Sequence, residues 1–394
     1  MAELKNILSQ EVQSFIEDSL SVNFSKLALQ KNPFPEISWN EILTQIASKL
    51  KAKEKLPTWF QTKNILYPSK LSIEQTSSEI TAKHKASLIS GESVIDLTGG
   101  FGVDSFYFAK KFKKVIHCEL KEDLQAIVAN NIEKLQLSNV ESILGDSTET
   151  LQKLNQKFDW IYIDPSRRSD AKGKVFMLQD CLPNVPVNLN LYFSYSSNIL
   201  IKTAPILDIS AGISELEFVK EIHIVALNGE VKEILWLLEN NYSGKINIKT
   251  INLNKEYNEE FEFVLGDSLV TPDYGLPKNY LYEPNAAILK SGAFDQIAIQ
   301  YTLEKLHQHS HLYTSSDLID FPGRKFKINA AFDYNKSNLK KFLLGQKANI
   351  TIRNFPDTVE NIRKKWKISD GGSVYSFFTT DLNNSKIVLI CEKI

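Results

Sequence analysis

Between Val94 and Leu238 short apolar runs alternate with helix-length amphipathic stretches. The runs Val94–Leu97, Val115–Cys118, Val140–Leu144, Trp160–Ile163, Ile199–Lys202, Ile222–Leu227 and Ile234–Leu238 have the length and composition of strands. Such alternation predicts an α/β fold, a mostly parallel sheet with helices on both faces. The last two runs are separated only by Asn228-Gly229-Glu230. So short a link fits an antiparallel hairpin, because a parallel crossover needs about a dozen residues or more.

The flanks read differently. Ile7, Val12, Phe15, Ile16 and Leu20 recur at helical spacing, as do Trp39, Ile42, Ile46 and Leu50, with Asn32–Pro35 as a break between them. This predicts an N-terminal helical region over residues 1–70, in which the charge run Lys51–Lys55 is a solvated face. After Glu239, Ile246–Leu253 and Phe261–Leu265 alternate like strands, and Pro272, Gly275 and Pro277 form a break. Beyond it Ala286–Leu289, Phe294–Leu306 and Leu339–Leu344 look helical, while Phe326–Ala330, Ile350–Arg353 and Lys386–Cys391 look extended. The chain's 394 residues exceed one ordinary core, so several domains are expected.

Composition excludes some classes. The formal net charge is −1, without the basic excess of a dedicated nucleic-acid binder, although a local basic face remains open. Cys118, Cys181 and Cys391 fall in no metal-ligand spacing and read as reduced, buried thiols. No apolar run is long enough for a bilayer, and Met1–Leu8 lacks the apolar centre of a signal peptide. The expected location is the cytoplasm, with no membrane and no metal; oligomeric state is not legible.

Four strand ends carry candidate chemistry. The first is Asp96-Leu97-Thr98-Gly99-Gly100-Phe101-Gly102-Val103-Asp104, between a strand and the helix-like Ser105–Lys111. Glycines there permit positive φ and let a ligand approach the backbone. A tight turn without a ligand is the plainer reading, but Asp96 would repel a phosphate and suits a cationic amino group. The second is Glu119, roughly 20 residues on, where an acid can accept both ribose hydroxyls of an adenosine. The third is Gly145-Asp146-Ser147, whose carboxylate can meet an adenine amino group, cap the helix Thr148–Leu154, or do both. The fourth is Asp164-Pro165-Ser166-Arg167-Arg168. Ligands of open α/β sheets bind beyond the carboxyl ends of the strands, so this segment faces the crevice. Its arginines invite a nucleic-acid phosphate or form a structural pair with the acid.

These residues resemble the class I S-adenosylmethionine-dependent methyltransferases, over roughly Ser72 to Glu239. Many members have glycine where this chain has Thr98; a similar turn occurs in a bacterial small-subunit ribosomal RNA guanine-N2 methyltransferase. The segment Leu71–Ala82 resembles one that closes over the cofactor, with Gln75, Ser78 and Thr81 near the methionine end or, alternatively, capping the helix Glu79–Ile89. Together with Tyr282-Glu283-Pro284-Asn285-Ala286-Ala287-Ile288 and Asp370-Gly371-Gly372-Ser373-Val374-Tyr375, the chain resembles a bacterial, Bacteroidetes-type family. Its members carry a ferredoxin-like segment and a THUMP-like C-terminal domain. The resemblance implies a Rossmann-like seven-stranded methyltransferase sheet over 71–265, a ferredoxin-like segment over 275–317 and a small α+β THUMP-like domain over 318–394. Base-amine methyltransferases usually follow the fourth strand with Asn/Asp-Pro-Pro-aromatic, where this chain has Ser166 and Arg167.

The resulting expectation is a methyltransferase using S-adenosylmethionine and acting on RNA, ribosomal or transfer. Cofactor contacts are expected from Gln75, Ser78, Thr81, Asp96, Thr98, Gly99, Gly100, Gly102, Asp104, Glu119, Asp146, Ser147 and Asp164. Asp164, Pro165 and Arg167 would serve the transfer. Arg167, Arg168 and the basic group Arg363, Lys364, Lys365 and Trp366 would hold RNA, unless that last group is the solvated face of a helix anchored by Trp366. His307, His309 and His311 read as a surface turn in preference to a metal site. The alternatives are a methyltransferase for a protein or small molecule, a catalytically silent RNA-binding protein, and an NAD-dependent oxidoreductase, against which Asp96 argues.

Overall fold

The computed structural model describes residues 6–167, 177–267 and 271–394. The chain forms two compact units, Met1–Lys220 with Leu235–Ser243, and Glu221–Ile234 with Gly244–Ile394.

The first unit begins with α1 (Gln10–Ser19), where Ser9 accepts the Val12 amide as N-cap, and α2 (Trp39–Lys55). Their apolar stripes pack into one core with Phe101, Val103, Phe106, Ile127 and Val128, so the N-terminal helices share the core of the sheet region. After the single turn α3 (Pro57–Gln61) come α4 (Lys70–Gln75) and α5 (Glu79–Leu88). Glu79 ties three elements together. It accepts from the Thr58 amide at 2.6 Å, the Thr58 hydroxyl at 2.8 Å and the Tyr107 hydroxyl at 2.7 Å.

Then follow β1 (Ser93–Asp96), α6 (Val103–Ala109), β2 (Lys114–Glu119), α7 (Glu122–Lys134), β3 (Val140–Leu144), α8 (Ser147–Leu154), β4 (Trp160–Ile163), α9 (Val185–Phe193), β5 (Asn198–Thr203) and α10 (Ile209–Glu215). The five strands are parallel, with Ile95 in register with Ile116 on one side and Ile161 on the other. Their order is β3-β2-β1-β4-β5, so the chain reverses direction between β1 and β4. β1, β4 and most of β2 are buried on both faces, the reason their sequences are unbroken apolar runs.

β6 (Val219–Leu227) and β7 (Glu230–Glu239) form the expected hairpin. Asn228 and Gly229 have φ of 51° and 81°, the left-handed pair that a two-residue turn of this hand requires. The C-terminal half of β7 follows β5, where the Trp236 indole donates to the Thr203 hydroxyl at 2.9 Å.

In the second unit β6 continues to β8 (Asn247–Leu253), parallel, and β9 (Glu259–Val264), antiparallel, two strands beyond the expected seven. A separate sheet contains β10 (Tyr280–Pro284), β11 (Glu304–Lys305), β12 (Tyr313–Ser315), β13 (Gly323–Asp333), β14 (Asn349–Ile352), β15 (Val374–Thr380) and β16 (Lys386–Lys393), in the order β11-β12-β10-β13-β16-β15-β14. Helices α11 (Ala286–Ser291), α12 (Gln296–Gln300), α13 (Lys336–Phe342) and α14 (Val359–Trp366) accompany it. The long helix expected over Phe294–Leu306 is corrected: α12 stops before Thr302, whose φ is 53°, and the chain turns into β11. Among the described residues no helix is long and apolar enough to cross a membrane.

Candidate active site

The carboxyl ends of β1, β2, β3 and β4 place the four predicted segments along one edge, beside the reversal between β1 and β4. Such an edge is where open α/β sheets bind ligands.

The glycine turn has a stated cause at Gly99. A Cβ there would lie 2.2 Å from the His117 ring, which is fully buried beneath the turn. His117 Nε2 meets the Gly100 carbonyl at 3.3 Å and Nδ1 meets the Ser142 hydroxyl at 3.1 Å. A carbonyl only accepts, so Nε2 carries the proton and the Ser142 hydroxyl donates to Nδ1. Burial lowers the His117 pKa to about 4, and the ring is a neutral strut. Gly100 and Gly102 have φ of 53° and 78°. A Cβ on Gly100 would meet only the Thr98 carbonyl, at 3.8 Å, so the outer side of the turn is open.

Asp96 is turned inward. It is 1% exposed, and its two oxygens accept from the Thr98 amide at 3.1 Å and the Ser105 hydroxyl at 2.7 Å. Its carboxylate thus holds the turn from within. Burial raises its pKa to about 8, against the Ser105 hydrogen bond and with help from the Asp104 charge.

Asp104 also faces inward. It is buried and accepts from the Ser77 hydroxyl at 2.8 Å and the Tyr162 hydroxyl at 3.0 Å, with the fully buried Lys85 ammonium at 3.2 Å. Its charge is spent inside the fold. Glu119 is half-buried and bridges the turn, accepting from the Gly100 amide at 3.0 Å and the Lys121 amide at 2.8 Å. Asp146 is exposed and caps α8, taking the Thr148 and Glu149 amides at 2.8 and 3.2 Å, while Ser147 is buried. Ser78 caps α5 by accepting the Thr81 amide at 3.1 Å; Thr81 is buried and Gln75 exposed. The capping reading of that segment is the one the structure displays.

Thr98 has a specific task. Its hydroxyl accepts the Asp164 amide at 2.6 Å, a link that glycine at this position lacks. Asp164 in turn pairs with the Lys202 ammonium on β5, whose side chain is 12% exposed against 34% for the acid. Pro165 is buried, and Ser166–Arg167 pairs with Cys181–Leu182 in a two-residue ladder. Arg168 lies outside the described residues.

Sequence reasoning missed Lys202 and Lys85, because each meets its acid through tertiary packing. It also passed over Leu120 and Leu144, which are 68% and 46% exposed beside Glu119 and Asp146.

In the second unit, Trp366 is 7% exposed in a core with Leu339, Leu343 and Ile362. It anchors α14 and offers no face to a base, a correction to the RNA-stacking expectation. Arg363 pairs with Asp370, Lys364 is exposed, and Lys365 lies 5.6 Å from the Tyr334 ring centroid. The Tyr282–Ile288 segment is structural. The Glu283 carboxylate is gripped by Arg353 at 2.8 Å and by Arg324, and Asn285 caps α11. His309 is exposed in the turn 308–310, whereas His307 is buried and hydrogen-bonded to Asn384 and His311 is half-buried and stacks on Phe294 at 3.6 Å, so the expected surface turn holds for the middle histidine and its two neighbours are drawn into the fold. No group of three or more His, Cys, Asp or Glu among the described residues is placed to hold a metal.

Three family models match the chain: a conserved hypothetical protein family over residues 51–181, a ferredoxin-like domain over 280–322 and a THUMP domain-like model over 323–393. No curated protein matches. Among solved structures, a candidate methyltransferase from Porphyromonas gingivalis W83 is 32% identical, with a TM-score of 0.88 over 99% of this chain and 98% of that one. An rRNA methylase from Streptococcus thermophilus is 17% identical, with a TM-score of 0.30 over 41% of this chain and 94% of its own. SMU.1697c of Streptococcus mutans, a candidate methyltransferase in complex with SAH, is 15% identical, with a TM-score of 0.31 over 42% and 99%. With the Porphyromonas gingivalis protein matched end to end at this identity, the chain belongs to that methyltransferase family, whose α/β sheet is followed by ferredoxin-like and THUMP-like domains.

Proposed function

We propose that the protein transfers a methyl group from S-adenosylmethionine to RNA. The carrying observation is the edge itself: Asp146 and Leu144 at the end of β3, Glu119 and Leu120 at β2, the open glycine turn at β1 and Asp164 at β4, in that order along the sheet. The residues fit the cofactor. Gly100 leaves room where a Cβ would stand, Glu119 lies where ribose hydroxyls would donate, and the two leucines offer apolar cover to a flat adenine with Asp146 at its rim. S-adenosylmethionine supplies a methyl group on a positively charged sulfur, ready for in-line displacement.

The chain's own residues supply position. Asp96 and His117 hold the turn from below. Thr98 fixes the Asp164 backbone, and Lys202 fixes one of its carboxylate oxygens, leaving the other to orient an acceptor. Arg167, two residues beyond Pro165, follows directly on this edge. RNA as acceptor is supported by charge. Residues 323–393 hold fourteen Lys and Arg against six Asp and Glu, in a chain whose net charge is −1. Overall neutrality thus conceals a strongly basic THUMP-like segment.

The test is transfer of labelled methyl to RNA from a strain lacking this protein, with Asp164→Ala as control. Equal labelling by both proteins would remove Asp164 from the mechanism, and failure to bind S-adenosylmethionine at millimolar concentration would end the cofactor reading.

A further inference from the structure

The excess basic charge is concentrated where the C-terminal ends of α13 and α14 meet. The Gly345 amide donates to the Trp366 carbonyl at 3.1 Å, Ser369 donates to Gln346 at 2.9 Å, and Ala348 donates to Ser369 at 3.0 Å. These bonds lay the loop after α13 alongside the loop after α14. Lys340 and Lys341 end the first helix, Lys347 sits in its loop, and Lys364 and Lys367 end the second; all five are exposed. No ion pair joins any of the five among the described residues, although six acids lie in the same segment. In the same place Phe342 is 36% exposed and stacks on Phe332, ring centroids 4.5 Å apart and planes 14° from parallel, with the Lys341 ammonium 4.9 Å from the Phe342 centroid.

Lysines in a last helical turn complement the helix dipole, and that alone explains one or two of them. It does not explain five unpaired cations from two helix ends and the loop after α13, nor the exposed Phe342 ring beside Lys341. A flat ring with one lysine beside it, and four more lysines on the two joined helix ends and the loop after α13, match a flexible strand that offers phosphates and unstacked bases.

From this arrangement we propose that the joined α13 and α14 termini are the contact surface for single-stranded RNA, with Phe342 as the base-stacking platform and Lys340, Lys341, Lys347, Lys364 and Lys367 on the phosphates. The proposal rests on the RNA reading above and places the grip on residues other than Trp366.

The experiment uses the full chain and a fluorescent single-stranded RNA dodecamer, with anisotropy measured across a salt series. A duplex RNA and vesicles containing anionic phospholipid serve as the other probes, and melting curves confirm that each variant is folded. The triple variant Lys340→Glu, Lys341→Glu, Lys364→Glu is expected to flatten the salt slope by about 2. Phe342→Leu, which keeps apolar cover but loses the ring, is expected to weaken single-strand binding about tenfold, leave duplex binding unchanged, and be rescued by Phe342→Trp. If the wild type binds RNA and these variants bind it with the same affinity and slope, the surface is wrong and the RNA reading stands. If the wild type ignores RNA, or prefers the vesicles, the RNA reading falls and this surface with it.

Discussion

Gly99→Ala tests whether the glycine turn is shaped by the ring beneath it. The new methyl would lie 2.2 Å from both Cδ2 and Nε2 of His117, where ordinary contact begins near 3.4 Å. The imidazole is fully buried, so it has to retreat by roughly 1 Å into packed surroundings or push the turn outward. Overpacking of this kind costs about 1–3 kcal/mol. The retreat also breaks the contact between Nε2 and the Gly100 carbonyl, worth about 1 kcal/mol. A loss of about 2–4 kcal/mol in urea unfolding is therefore expected. His117→Ala alone should cost about 2–4 kcal/mol, from the cavity and the orphaned Ser142 and Gly100 partners. In the double variant the methyl introduced by Gly99→Ala occupies space the ring has left. The two losses should then fall short of their sum by about 2 kcal/mol, an interaction energy typical of groups in direct contact. Losses that add to within about 0.5 kcal/mol would refute the strut, because independent sites behave that way.

Lys202→Met should lower the methyl-transfer rate by about tenfold while calorimetric affinity for S-adenosylmethionine stays within about twofold, with partial recovery in Lys202→Arg; an unchanged rate would make the pair purely structural. Thr98→Val deletes the hydrogen bond to the Asp164 amide and should cost about 1 kcal/mol or more in stability, and lower kcat more than cofactor affinity. For Asp96, burial raises the folded pKa to about 8 from an ordinary 3.8. Between those values the folded state holds a proton that the unfolded state has released. The group's contribution is therefore present below about pH 4 and lost as pH rises to about 8. Wild-type stability should fall relative to Asp96→Asn across that window, by at most about 1.4 kcal/mol per pH unit, and a flat difference would mean that Asp96 is ionised throughout. For His117 the sign is opposite. Its folded pKa of about 4 lies below the ordinary 6.5, so its contribution is lost on acidification between those values, which the pH dependence of a His117→Gln variant checks.

How much was legible depended on the range of the interaction. Trp160–Ile163 is read correctly to the residue, because a strand buried between parallel neighbours writes its burial directly into an apolar run; Val140–Leu144, the half-exposed edge strand, is read to the residue as well, although Glu141 and Ser142 interrupt its apolar run. The Asn228-Gly229 hairpin is legible because only certain residues tolerate its φ. In contrast, β10 and β15 escape the sequence reading, since Tyr280–Pro284 and Val374–Thr380 carry one acid, several hydroxyls and a proline that disguise extended chain. The site shows the same division. Residue types at strand ends identify Glu119, Asp146 and Asp164 locally. Whether an acid faces out or in depends on partners such as Ser105, Ser77, Lys85 and Lys202, which only the fold brings near. Trp366 was ambiguous for the same reason: a helix with aromatic and basic residues looks alike whether its ring faces core or solvent.

The departures of this chain from the commoner glycine turn then acquire one explanation. Beyond its last ladder bond each strand loses the hydrogen bonding that holds it to its neighbour, just where a ligand needs a fixed edge. Here side chains continue the lattice. Glu119 reaches from β2 to the Gly100 amide, the Thr98 hydroxyl reaches from the β1 turn to the Asp164 amide, and Lys202 reaches from β5 to the Asp164 carboxylate. These three links span four adjacent strands, β2-β1-β4-β5, in the order in which cofactor and acceptor would meet. A glycine in place of Thr98 would leave the middle link open, and the cofactor turn would no longer be coupled to the acid expected to face the acceptor. On the proposed reading, Thr98 would be the residue through which binding on one side of the strand reversal is felt as position on the other.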